Sequence, residues 1–196
     1  MARALIGAVA AAVAMFLLGF IFFATPLHSL AIGGLDDVQA AAVQQALNAN
    51  LPQTGTYLVP DPDTPQQSVM YGKGGIATVY YNSSGFAASD TTAMIGGFIH
   101  MLVVTGLMAA GLYMLARYVQ DFSEQVKLLV LGVLGAAVFM RLGEPVWYHH
   151  DWGHAIYMFI ADSISLIAAG VIILKLLPRG AAAVTAAAPA GATSEL

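Results

Sequence analysis

Four stretches of this chain are each apolar enough, and close enough to twenty residues, to belong in lipid. They run Leu5–Ala24, Thr92–Ala116, Val126–Gly143 and Ala155–Leu174. A helix rising 1.5 Å per residue needs about 20 residues to cross a hydrocarbon core of ~30 Å. Inside lipid the backbone must satisfy its own polar groups, so the stretches read as helices and not as strands. Arg3 precedes the first and Pro26 follows it; Asp90 and Arg117 close the second. The third is the shortest, contains Arg141 and ends at Glu144-Pro145, while the fourth contains Asp162. Composition agrees: 59% of the residues are hydrophobic and 9% charged, against about 25% charged in an ordinary soluble domain.

The cations set an expected orientation. Arg3, Arg117, Lys127, Lys175 and Arg179 all fall on one side if both ends of the chain are on that side. Only Lys73 then lies in a loop on the opposite side. Short loops rich in Lys and Arg stay in the cytoplasm. The expectation is a multi-pass protein of a bacterial-type inner membrane, with both termini cytoplasmic. Helix 1 is longer than the apolar region of a signal peptide, so an uncleaved span is expected, although Ser29-Leu30-Ala31 would pass as a cleavage site.

The fold class expected is an all-α membrane protein: a four-transmembrane-helix bundle with a small α+β outer (periplasmic) cap. Residues 1–25 are helix 1, 26–91 the outer-face loop domain, 92–177 helices 2–4, and 178–196 a disordered cytoplasmic tail. In the loop domain, Asp36 is placed to N-cap a helix reaching about Asn50, with Leu51-Pro52 ending it. Gly55–Val59 and Ala77–Tyr81 are rich in β-branched and aromatic residues and read as short strands. The prolines of 60–65 mark a turn between them. The tail from Gly180 is Ala, Gly, Thr and Pro with one acid.

Chemistry concentrates in a few polar residues. All five histidines fall on the outer half of this topology: His28, His100, His149, His150 and His154. His150 and His154 are spaced i, i+4, which puts two imidazoles on one face if the fourth helix starts early enough. Glu144 and Asp151 add oxygen donors. His100, His149, His150, His154, Glu144 and Asp151 are therefore the candidate metal set, for copper, zinc or iron. His100 and His154, on different helices, are the pair that a haem would need. The plainer alternative is an aromatic belt at the membrane interface, shared by Trp147, Tyr148 and Trp152. Within the spans, His100 lies roughly 12 Å, Asp162 roughly 13 Å and Arg141 roughly 6 Å below the outer helix ends. Charges at such depth pair inside bundles. Arg141 is long enough to reach Asp162 or to sit beside Glu144. Gly106/Ala110 and Gly132/Ala136 are small-xxx-small pairs that allow close helix contact, within the bundle or with partner subunits.

Several function classes fall away. The chain has no cysteine, so thiolate metal sites and thiol nucleophiles are excluded. Seven thinly spread Lys and Arg give nucleic acid no basic patch. There is no nucleotide-binding loop, no Ser nucleophile motif and no repeat of the kind transporters show. A stand-alone enzyme is not the expectation. The sequence reads instead as a small integral membrane protein in contact with the lipid bilayer, either an accessory or assembly subunit or an outer-face metal- or ligand-binding protein. Two alternatives are a redox component with haem or copper at the histidines, and a small transporter or channel built on Asp162 and Arg141.

Overall fold

The computed structural model describes residues 2–177. Two compact units are present, residues 1–31 with 92–196, and residues 32–91.

The larger unit is a helical bundle. Among the described residues, four helical segments are long and apolar enough to cross a membrane. The first is α1 (Ala2–Phe23), built of Ala, Leu, Val and Phe and stopped by Pro26. Thr25 makes the exit: its hydroxyl donates to the Ile21 carbonyl at 2.6 Å and accepts from Leu27 N at 3.3 Å. A short 3₁₀ turn, Pro26–Leu30, follows. The second segment is α4 (Thr91–Leu115). A tight turn then leads to α5 (Phe122–Ala137), whose N-cap is Asp121, accepting from Glu124 N at 2.9 Å. The buried Gln125 amide donates to Val119 O at 2.7 Å and satisfies that turn from within.

The third span is longer than Val126–Gly143. It runs Phe122–Tyr148, because α5 passes through a π-helical turn, Val138–Leu142, into α6 (Gly143–Tyr148). Pro145 does not end it, since it sits in the first turn of α6, where its missing N–H is not needed. The fourth span, α7 (Trp152–Leu176), starts three residues before Ala155. The Asp151 carboxylate caps it, accepting from His154 N at 2.6 Å.

The core forms around α7. It lies antiparallel to α1, and the pair shares the most extensive contact in the bundle. Gly7, Ala8, Ala11 and Ala12 of α1 are buried, with Ala169, Ile173 and Leu174 of α7 fully or almost fully buried. A Cβ on Gly7 would already touch the Ile173 Cα at 3.5 Å, which leaves no room for anything larger than a methyl on this face. At the other end of the pair, the Tyr157 hydroxyl donates to Phe22 O at 2.6 Å, and its ring packs edge-on against Phe22 and Phe23. On its other side α7 takes α5: a Cβ on Gly170 would fall 2.5 Å from Leu129. α4 leans on α1 through side chains, with Phe98 edge-on to Phe16 at 5.7 Å. Thr105 of α4 is fully buried, and its hydroxyl donates back to Met101 O at 2.9 Å. The outward faces carry Leu5, Leu107, Leu131 and Phe139, all exposed, which is compatible with lipid contact.

The smaller unit has α2 (Asp37–Asn50), β1 (Gly55–Val59), α3 (Pro65–Tyr71) and β2 (Ala77–Tyr81). Asp36 and Gln39 form a reciprocal capping box at the start of α2. The strands pair antiparallel, Gly55 opposite Tyr81 and Val59 opposite Ala77. The segment between them is more than a turn: Thr64 caps α3, with Pro65 at its first position. The Tyr81 hydroxyl donates to Asn48 at 2.7 Å and ties α2 to the strands. The tail from Gly180 lies outside the described residues.

Candidate functional site

The π turn is what positions the polar site. An α-helix carried through residues 138–142 would turn Arg141 by its regular 100° step. The wider turn re-aims the side chains that follow it, and such turns gather at functional positions. Arg141 Nε donates to Asp162 Oδ2 on α7 at 2.6 Å. On its other side Arg141 Nη1 lies 4.0 Å from Glu144 Oε1, one turn on. Glu144 Oε2 is 3.4 Å from His150 Nδ1. Four groups from the π turn, α6, the loop and α7 thus form one chain, Asp162–Arg141–Glu144–His150. The Tyr148 ring stacks near His150, with centroids 5.6 Å apart.

This network is not sealed. The Arg141 and Asp162 side chains are 30% and 32% exposed, Glu144 35% and His150 24%. Asp162 lies ten residues into α7, about 15 Å below its start. Next to it, the Ser163 hydroxyl is buried and makes no hydrogen bond. With both carboxylates ionised and His150 neutral, the four groups carry one net negative charge.

The candidate metal residues do not converge: among the described residues, no three of His, Asp and Glu form a group that would hold an ion. The helical i, i+4 face of His150 and His154 is absent, because α7 begins at Trp152 and His150 precedes it. The Asp151 carboxylate is occupied in capping that helix. His154 Nδ1 donates to the Ala31 carbonyl at 3.0 Å, which leaves Nε2 as the ring's accepting nitrogen. His149 is exposed and ends α6 in the left-handed region, at φ 56°. His100 lies on the exposed side of α4, with no hydrogen bond or ion pair among the described residues.

Two contributors escape a reading of the sequence. The π turn has no hydrophobic-period signature of its own, and Ser163 is an ordinary small residue in an apolar run. The contact between Arg141 and Asp162, by contrast, follows from the reach of the long Arg141 side chain toward a carboxylate deeper in the same leaflet. The small pairs Gly106/Ala110 and Gly132/Ala136 are exposed and take no part in the bundle's own contacts, which use Gly7 and Gly170 instead. No family model, no curated protein and no solved structure matches this chain.

Proposed function

We propose that this is a small multi-pass protein of a bacterial-type inner membrane, with both termini cytoplasmic, that works by binding. Its role is that of an accessory or assembly subunit, or of an outer-face ligand-binding protein, and not that of a stand-alone enzyme. The observation that carries this reading is the open charged network. A charge near the middle of a bilayer costs about 2.5–3.5 kcal/mol on insertion scales and is paired inside protein or in a wet cavity. Here Arg141, Glu144 and Asp162, all within the spans, stay about a third accessible. A covering partner removes that cost, and the net negative charge suits a basic side chain or a cation.

The test is a photo-crosslinking residue placed at Phe139, exposed two residues before Arg141 in the π turn, with a second at Leu131 as control. Expected is a discrete protein adduct from Phe139 that weakens in Glu144→Gln and Asp162→Asn. Lipid adducts alone, unchanged by those variants, would count against a partner subunit. A second reading, a path for protons or cations, is favoured by the way the network steps from loop to span beside the unpartnered Ser163 hydroxyl. Ion flux into proteoliposomes that Asp162→Asn abolishes would select it. The metal and haem readings now rest on His154 Nε2 with its neighbours unassembled. Metal analysis and an absorption spectrum of the purified protein test them directly.

A further inference from the structure

At the opposite end of the bundle from the charged network, α1 and α4 line an open groove of about 570 Å³. Its walls are small or apolar: Ala4, Leu5 and Ala8 from α1, Gly106 and Ala110 from α4. Its mouth is basic. Arg117 lines it, with the guanidinium held 5.0 Å over the Tyr113 ring. A neighbouring cavity of about 460 Å³ is lined by Arg3 and Lys175 beside Ile6 and Leu176. The acids of that end are engaged elsewhere: Asp121 caps α5, and Glu124 pairs with Lys127 at 2.8 Å. Arg3, Arg117 and Lys175 have no carboxylate partner among the described residues.

We propose that this groove is a binding site for one anionic glycerophospholipid, with an acyl chain between α1 and α4 and its phosphate on Arg117. Length and charge both point to it. From Gly106 to the end of α4 at Leu115 the wall runs about 13.5 Å, with Arg117 in the turn just beyond it, close to the ~15 Å depth of half a ~30 Å hydrocarbon core. The small residues leave the width that a side chain would otherwise fill: a Cβ on Gly106 meets nothing within 4 Å. The guanidinium is a bidentate phosphate donor at the level where a headgroup lies. The Tyr113 face fixes its position, so little ordering remains to be done on binding. The site is separate from the outer network and does not depend on the orientation assigned above.

The test uses the full-length protein, delipidated in detergent and titrated with dioleoyl phosphatidylglycerol or dioleoyl phosphatidylcholine, with bound lipid counted by native mass spectrometry. The native protein is expected to prefer phosphatidylglycerol about fivefold, the effect of one well-placed cation. Arg117→Gln should bind both lipids equally. Gly106→Leu should lose both, while Gly132→Leu on the exposed face of α5 should behave as the native protein does. Equal binding of the two lipids by the native protein overturns the proposal, as does a preference that survives Arg117→Gln. A dimer peak that Gly106→Leu removes would give the groove to a second copy of the chain and overturn it equally. Should Gly106→Leu fail to fold by circular dichroism, the Arg117→Gln comparison decides alone.

Discussion

Arg141 sits between two carboxylates, 2.6 Å from Asp162 and 4.0 Å from Glu144. Removing either member of the shorter pair leaves a charge unmatched at membrane depth. For a fully buried pair that costs about 3–5 kcal/mol; with both side chains about a third open, Arg141→Met or Asp162→Leu alone should fall below that range. The double variant should be less damaging than the worse single one, read by thermal unfolding in detergent. Strictly additive losses in the double-mutant cycle would show that the two side chains do not interact. His149 provides a second residue-scale test. At φ 56° it occupies a conformation that is costly for a branched side chain and free for glycine. His149→Gly should be neutral or mildly stabilising, and His149→Val should lose about 1–2 kcal/mol. Residues of this kind differ in how far sequence reveals them. Asp36 as an N-cap, and Arg141 with Asp162, are legible because spacing and reach leave each few partners. The fates of His150, His154 and Asp151 are not, because one capping hydrogen bond decides where α7 begins, and a shift of three residues rearranges every face.

At the scale of elements, closeness of approach separates the glycines that build the bundle from those that do not. Gly170→Ala should loosen α5 from α7, since the new methyl would lie within 3.1 Å of three Leu129 atoms, and Leu129 must change rotamer to admit it. Gly7→Leu should part α1 from α7 more severely, because there the obstacle is backbone. Gly132→Leu, with open space around it, should leave thermal stability within about 0.5 kcal/mol of native. Equal destabilisation by all three would contradict this packing scheme. The spans themselves follow from hydropathy and length alone. The continuation of the third span past Glu144-Pro145 does not, since proline ordinarily stops a helix and only the π turn shows that it falls in a first turn. Short α3 is hidden for a related reason: at seven residues it has no periodicity to detect, and its prolines read as a turn. The two strands, each bounded by Gly, Pro or Asn, are plain.

For the whole molecule, topology is the property most open to a direct check. A reporter active only outside the membrane should work when inserted at Gly75, where a side chain would meet open space, and be silent when fused after Leu196. The reverse pattern would invert the orientation and move the charged network to the cytoplasmic side. A different consequence follows from the closeness of α1 and α7. These two helices complete each other's surface, yet about 130 residues separate the end of one from the start of the other. At synthesis rates of about 5–20 residues per second, α1 waits on the order of ten seconds before its counterpart leaves the ribosome. Through that interval its Gly7–Ala12 face is uncovered in the bilayer, where any other small-faced helix is a competitor. Correct assembly is then a matter of timing as well as fit. A chain stalled before Trp152 should be recognised as incomplete and degraded, whereas α7 supplied in trans as a separate segment should rescue it.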